Sequence, residues 1–131
     1  MRKSMLIGGA AIVLVTASGV FSESRAGPWE DGVAAYNRGD YLPAMKLFRP
    51  LAQAGNPKAQ SVIGVMYRKG EGVARSPKRA FMWFGLATKR GDAGAKAELH
   101  EVSKEMTPAE ISHAEAMMQT CEASDYRDCE Y

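Results

Sequence analysis

The feature that most constrains this chain is a set of four residues that returns after 36 positions. The set is Ala44, Phe48, Gly55 and Ala59, and it recurs as Ala80, Phe84, Gly91 and Ala95. A constant offset of this length is the signature of a repeat protein, in which each unit buries its apolar face against the next unit. The sequence therefore predicts a repeat architecture.

Capping signals divide the chain into helices. Ser, Thr or Asn stands directly before a Pro at positions 56, 76 and 107, which is the preferred start of a helix. Thr107 and Glu110 also fit a capping box. Gly39-Asp40 and Gly91-Asp92 each combine the end of one helix with the start of the next. The predicted helices lie near residues 29–38, 41–54, 57–69, 77–90, 93–105 and 108–123. No segment alternates as a half-buried strand does, so the predicted fold class is all-α.

The apolar residues of these helices fall on one face. Trp83 and Phe84 stand on the apolar stripe of the fourth helix, whereas Phe81 is predicted to be partly exposed. Gly64 lowers the helix propensity by about 1 kcal/mol relative to Ala, which predicts a close crossing by a neighbouring helix. The residues predicted to pack within and between repeats are Ala44, Phe48, Ala59, Ile63, Gly64, Tyr67, Ala80, Trp83, Phe84 and Ala95.

The N-terminus has the pattern of a secretory signal peptide. A cationic "MRKS" precedes "MLIGGAAIVLVTASGV", an uncharged run of 16 residues that is short for a bilayer-spanning helix. Ser24-Arg25-Ala26 supplies a small-x-small cleavage site, and cleavage after Ala26 is predicted, with a retained anchor as the alternative. No Cys lies near the cut to accept a lipid. We expect a periplasmic or secreted protein without stable membrane insertion after signal removal.

The charge of the mature chain is balanced but unevenly distributed. Residues 27–131 hold 14 basic and 14 acidic side chains, which gives no electrostatic reason to expect nucleic acid. Residues 27–90 hold 11 basic and 4 acidic groups, and residues 91–131 hold 3 basic and 10 acidic groups. This segregation suggests either a dipolar molecule that steers a partner or stacks on itself, or ordinary solvated helix faces.

Residues 59–95 resemble a known family. The stretch "AQSVIGVMYRKGEGVARSPKRAFMWFGLATKRGDAGA" is similar to one full unit of the Sel-one-like repeat, a relative of the tetratricopeptide repeat. The resemblance is carried by Ile63-Gly64, Tyr67, the loop "GEGV" at 70–73, Ala80 and Trp83. "GVAAYNRGDYLPAMKLFRPLAQAGNPKAQ" before it resembles a shorter tetratricopeptide unit, and "MTPAEISHAEAMM" resembles the closing helix of bacterial members.

The resemblance implies an α-solenoid of about three antiparallel helix pairs. His100 occupies the position equivalent to Gly64, so the third pair is interpreted as a capping unit. The implied organisation is a signal peptide at 1–26, a tetratricopeptide-like pair at 27–56, a Sel-one-like repeat at 57–92 and a C-terminal capping pair with a Cys-stapled tail at 93–131.

The loop between the third and fourth helices invites two interpretations. Its "KGEGV" could cradle a phosphate, but it lacks a full phosphate-loop motif and follows a helix, so a tight turn is favoured. The cations around it, Arg68, Lys69, Arg75, Lys78 and Arg79, form a basic patch that could attract an acidic partner segment or could be solvated loop residues.

Cys121 and Cys129 enclose seven residues. An even Cys count in an exported chain predicts a disulfide, and this short loop would contribute about 2 to 3 kcal/mol. The spacing is similar to the staple of cysteine-rich secreted members of the same family. His100 and His113 form no zinc motif, and no serine-hydrolase context is present. We therefore predict no catalytic residue, metal or cofactor.

The resemblance also implies where a partner would dock, because the first helices of such pairs line a concave face. The carried-over positions are Glu30, Asn37, Arg38, Lys58, Ser61, Val65, Arg68, Lys69, Glu101, Lys104 and Glu105. The main hypothesis is a scaffold that binds a protein or peptide as an adaptor or an inhibitor-like module. One alternative is a penicillin-binding or hydrolytic enzyme, as attributed to cysteine-rich relatives, and another is a structural protein that stacks on itself.

Overall fold

The computed structural model describes residues 26–129, and these residues form six helices. The predicted signal peptide, apart from Ala26, lies outside the described residues. The helices are α1 (Pro28–Asn37), α2 (Tyr41–Gln53), α3 (Pro57–Lys69), α4 (Pro77–Lys89), α5 (Ala93–Ser103) and α6 (Pro108–Ala123). Residues 26–129 contain no strand, so the all-α prediction is confirmed.

Side-chain caps begin most of these helices as predicted. The side chains of Asn56, Ser76 and Asp92 each accept a hydrogen bond from the backbone N–H three residues later, at 3.0 to 3.2 Å. Thr107 and Glu110 form the complete capping box. Asp40 stands at the N-cap position of α2 as predicted, but its side chain makes no capping hydrogen bond. Its carboxylate accepts a hydrogen bond from Arg38 Nε at 3.1 Å.

The helices pack mainly in chain order. Each of α1 to α4 contacts the helix that follows it, and α4 also packs against α6. Helix α4 therefore has α3, α5 and α6 around it, and its residues 80–87 are all buried. The expectation that Phe81 is partly exposed is wrong, since only 8% of it is exposed. Three neighbours leave this helix no solvent-facing side in its central turns.

The recurring residues of the sequence make recurring contacts. All ten residues predicted to pack within and between repeats are buried. A Cβ added at Gly64 would lie 2.7 Å from the ring of Phe84, which is much closer than carbon atoms normally approach. Gly32 and Phe48 stand in the same relation, also at 2.7 Å. In α1–α2 and again in α3–α4, a phenylalanine of the second helix fits against a glycine of the first.

The loop of residues 70–76 is a turn held by glycines. Gly70 and Gly72 have φ angles of 74° and 72°, in the left-handed region that favours glycine. A Cβ at Gly72 would also lie 2.9 Å from the backbone of Tyr41, so this loop packs directly on the start of α2. The turn interpretation of "KGEGV" accounts for both glycines.

No helix within residues 26–129 has the length and apolar character needed to cross a membrane.

Candidate binding groove

A shallow apolar groove lies between α1 and α3. Both helices pack on α2 and leave a gap of about 290 Å³ between them, with the side chain of Phe48 as its floor. We call this gap the α1–α3 groove. Its lining residues are Trp29, Val33, Tyr36, Phe48, Val62 and Val65.

Helical spacing places these side chains along the groove. Trp29, Val33 and Tyr36 stand at i, i+4 and i+7 on α1, so they share one face of that helix. Val62 and Val65 stand three residues apart on α3 and face them. The ring of Trp29 packs at 5.3 Å against the ring of Phe48, tilted by 58°. Except for buried Phe48, the lining side chains are only partly buried, so the groove exposes apolar surface to solvent.

One polar contact engages Tyr36, a lining residue of the groove. The Tyr36 hydroxyl donates a hydrogen bond to the carboxylate of Glu71, and burial together with this hydrogen bond raises the pKa of Tyr36 to about 12. The Tyr36 ring also packs edge-on against Tyr41 at 5.3 Å. Glu71 pairs in turn with Lys69 Nζ at 3.8 Å. The lining side chains therefore offer two polar groups, the Tyr36 hydroxyl, which Glu71 engages, and the indole N–H of Trp29.

The two helices that form the groove carry opposite charges. The charged residues of α1 are Glu30 and Asp31, both acidic. The charged residues of α3 are Lys58, Arg68 and Lys69, all basic. Glu30 is exposed and adjoins Trp29 along α1, whereas Lys58 and Lys69 lie one turn before Val62 and one turn after Val65. The α1 side of the groove is therefore acidic and the α3 side basic.

Several residues predicted to bind a partner are engaged in ion pairs within the chain. Arg68 pairs with Glu98 of α5 at 2.7 Å and with Glu105, two residues after the end of α5, at 3.4 Å. Glu105 also pairs with Arg75. Three more predicted positions pair locally: Arg38 pairs with Asp40 at 3.1 Å, and Lys104 pairs with Glu101 at 2.9 Å. The Lys104 hydrogen bond lowers the pKa of the Glu101 carboxyl.

The basic patch predicted around the loop is likewise occupied by neighbours in the fold. Lys78 Nζ lies 3.1 Å from Nδ1 of His113 on α6. Arg79 lies over the ring of Tyr67, 5.7 Å from its centroid. The pairs of Arg68 and Arg75 and the contact of Lys78 with His113 join residues 27–90 to residues 91–131, whereas the contacts of Lys69 and Arg79 stay within residues 27–90. Several of the basic side chains of residues 27–90 are therefore already paired within the molecule.

The remaining predicted partner positions are distributed along α1 and α3. Val65 lines the groove, Ser61 is half-buried, and Glu30, Asn37 and Lys58 are exposed. Sequence reasoning missed Trp29, Val33, Tyr36 and Val62 as groove residues. The i, i+4, i+7 spacing in "PWEDGVAAYN" was the available signal for the α1 side, but the same spacing also describes a helix packed into the core.

The predicted disulfide between Cys121 and Cys129 is confirmed, with the two Cα atoms 4.4 Å apart. It turns the chain back after α6 and brings the ring of Tyr126 over the guanidinium of Arg90, 5.2 Å from the ring centroid. Arg90 Nε donates a hydrogen bond to the carbonyl oxygen of Gly55 at 2.7 Å. The C-terminal turn is thereby connected, through Arg90, to the turn between α2 and α3.

The described residues offer few groups for chemistry. Between residues 26 and 129 there is no cluster of three or more His, Cys, Asp or Glu side chains arranged to hold a metal ion. Both cysteines are joined in the disulfide, which leaves neither as a thiol nucleophile. What this region does display is the exposed apolar surface between α1 and α3.

In a scan of protein families, no family model matches the chain.

Proposed function

We propose that this chain is an exported helical-repeat module that binds a protein or peptide partner in the α1–α3 groove, without chemistry of its own. The observation that carries the proposal is the groove itself. Apolar side chains from two helices remain partly exposed there beside a fully buried core. Exposed apolar patches bordered by charged residues are typical of interaction sites.

The size of the groove favours a macromolecular partner over a small ligand. Its volume of about 290 Å³ is at or below the roughly 300 to 1,000 Å³ usual for small-molecule sites. Its lining side chains carry two polar groups, the Tyr36 hydroxyl, which Glu71 engages, and the indole N–H of Trp29. Such a groove can receive a few apolar side chains of a partner, and it offers no set of polar groups to orient a substrate.

The repeat nature of the fold is part of the proposal. The recurrence at an offset of 36 residues and the paired glycine–phenylalanine contacts support an α-solenoid of Sel-one-like or tetratricopeptide-like helix pairs. Its first helices, α1, α3 and α5, would then form one continuous surface. The groove between α1 and α3 and the ion pair of Arg68 with Glu98 of α5 support such a surface.

Export is supported by two features at opposite ends of the chain. The N-terminal segment has the charge and hydropathy pattern of a cleaved signal. The Cys121–Cys129 disulfide belongs to an oxidising compartment, because cytosolic thiols are kept reduced. The proposed location is the periplasm or the extracellular medium.

Site-specific photo-crosslinking tests the proposal. A photoreactive amino acid is placed at Val65 in the groove and, as a matched control, at exposed Gln119 on α6, and producing cells are irradiated. We expect a defined crosslinked product from position 65 that is absent from position 119 and is lost when Trp29→Ala is added. Equal products from both positions, or none from position 65, would refute the proposed site.

A fluorescent β-lactam tests the absence of chemistry. The purified protein is incubated with the probe and then denatured, so that only covalent adducts keep the label. No labelling is expected, and a stoichiometric adduct would overturn the non-enzymatic assignment.

A further inference from the structure

We propose that the partner segment is an amphipathic α-helix whose two flanks are oppositely charged, basic where it faces α1 and acidic where it faces α3. This inference rests on the proposed function and specifies the chemistry of the partner. It comes from two properties of the α1–α3 groove, the absence of backbone partners in its walls and the opposite charge of its two sides.

The walls of the groove favour a helix over an extended peptide. Every backbone N–H and C=O of a buried segment needs a hydrogen-bond partner. The groove is lined by side chains of three helices, and five of its six lining residues have hydrocarbon or indole side chains with no hydrogen-bond acceptor. The sixth, Tyr36, donates its hydroxyl proton to Glu71. An extended segment would leave its backbone unpaired there, whereas a helix satisfies its own backbone internally.

The geometry also suits a helix. Two helices that both pack on a third leave a gap between them, and the apolar stripe of another helix fits such a gap by inserting its side-chain ridges. Trp29, Val33 and Tyr36 offer contacts over two turns of α1, and Val62 and Val65 offer contacts over one turn of α3. A partner helix would therefore present apolar residues at i, i+3, i+4 and i+7.

Charge complementarity defines the flanks of the partner. Glu30 borders the groove on α1, where a basic side chain of the partner would be attracted. Lys58 and Lys69 border it on α3, about 16 Å apart at 1.5 Å per residue, where acidic side chains would be attracted. Lys58 has no ion-pair partner within residues 26–129, and Lys69 has only the 3.8 Å contact with Glu71. Arg68, by contrast, is directed to Glu98 of α5 and to Glu105 just after it.

Designed peptides test this inference. Four peptides of about 18 residues, long enough to form a helix, share one leucine stripe. The first has lysines on one flank and glutamates on the other, the second has only glutamates, the third has only lysines, and the fourth is the first with a central proline. Binding is followed by the fluorescence of Trp29, since Trp83 is fully buried and reports little change.

We expect the mixed-flank peptide to bind about tenfold more tightly than either single-charge peptide at low ionic strength, with the difference shrinking as salt is raised. The proline peptide should lose most of its binding. In Lys58→Glu/Lys69→Glu both sides of the groove become acidic, so the all-lysine peptide should become the preferred ligand. The matched control Lys96→Glu, at an exposed position of α5, should keep the wild-type order.

The outcomes separate this inference from the proposed function. Equal affinity for the three charge patterns would refute the proposal that the partner has oppositely charged flanks. An unchanged order of peptide affinities in Lys58→Glu/Lys69→Glu would refute it as well. Undiminished binding of the proline peptide would refute the proposal that the partner binds as an α-helix. If no peptide binds while position 65 still crosslinks to a partner, this inference fails and the proposed function stands. Loss of both signals would overturn both.

Discussion

Substitution of Gly64 by Ala sets two effects of opposite sign against each other. Helix propensity favours Ala by about 0.8 to 1 kcal/mol in the interior of a helix. Against this, the new Cβ would lie 2.7 Å from Cδ1 and Cε1 of Phe84 and 3.0 Å from its Cζ. Carbon atoms pack best at about 3.5 to 4.0 Å, so the methyl group overlaps three ring atoms. Phe84 has no exposed surface, and its ring has little room to retreat.

Overpacking of a full core costs about 1 to 3 kcal/mol, and an enclosed ring belongs in the upper half of that range. After the propensity gain is subtracted, we expect Gly64→Ala to lower the free energy of unfolding by about 1 to 2 kcal/mol. For a domain of this size each kcal/mol corresponds to about 4 to 8 °C in Tm. Chemical denaturation followed by circular dichroism at fixed pH measures the loss.

Two comparisons isolate the cause. At Gly94, which is exposed near the start of α5, the nearest atom to a new Cβ is the Asp92 carboxylate oxygen at 3.3 Å. Gly94→Ala should therefore lower the free energy of unfolding by much less than Gly64→Ala. In a Phe84→Leu background the ring atoms that clash are gone, so Gly64→Ala should cost at least about 1 kcal/mol less than in the wild type. If Gly64→Ala raised the unfolding midpoint, the close crossing of α3 and α4 would be refuted.

Three further predictions concern the ends of the helices and of the groove. Reduction of the Cys121–Cys129 disulfide, or its replacement by two serines, should lower the free energy of unfolding by about 2 to 3 kcal/mol, and an unchanged denaturation midpoint would contradict this. Thr107→Ala should cost about 1 kcal/mol by removing the capping box, whereas Thr107→Ser should cost much less in the same assay. Because the folded-state pKa of Tyr36 is raised from 10.0 to about 12, its contribution to stability should be complete below pH 10 and lost as the pH rises toward 12. Tyr36→Phe should flatten that decline in denaturation midpoint, and an identical alkaline profile would argue against the bond to Glu71.

The helix boundaries were predictable because their causes are local. Caps such as Asn56 and Thr107 act within one turn, so the residues themselves carry the signal. The predicted ends differ from the observed ones by no more than two residues, for example 93–105 against Ala93–Ser103. The close approach at Gly64 was predictable for a similar reason, since a glycine inside a helix needs a packing explanation.

Burial that depends on the number of neighbours was not predictable from periodicity. Phe81 lies off the main stripe of α4, yet it is buried, because α4 packs against three other helices, α3, α5 and α6. Gln60 is a second case, because a glutamine after a helix start is ordinarily exposed. Its side chain is fully buried and donates to the Ala52 carbonyl oxygen at 3.1 Å. Both cases depend on how several helices meet.

The candidate groove likewise contains residues that the sequence predicted and residues that it did not. Val65 was predicted from its position in the repeat, whereas Trp29 and Tyr36 were overlooked because partial exposure leaves no mark in a helical pattern. The sequence shows the basic and acidic halves, but it cannot show that Arg68 meets Glu98 across 30 positions. Ion pairs at that separation are decided by the packing of α3 on α5.

The link from the C-terminal turn to Gly55 limits how the chain can be shortened. Truncation after Ala123 would remove Cys129 and Tyr126 together, and Arg90 would lose the ring beneath its guanidinium while still holding the Gly55 carbonyl. Truncation should therefore destabilise the turn between α2 and α3, about 70 residues upstream, as well as the new C-terminus. An affinity tag should be placed before Gly27 on a long flexible spacer. There it leaves the contacts of Tyr126, Arg90 and Gly55 intact and does not cover Trp29.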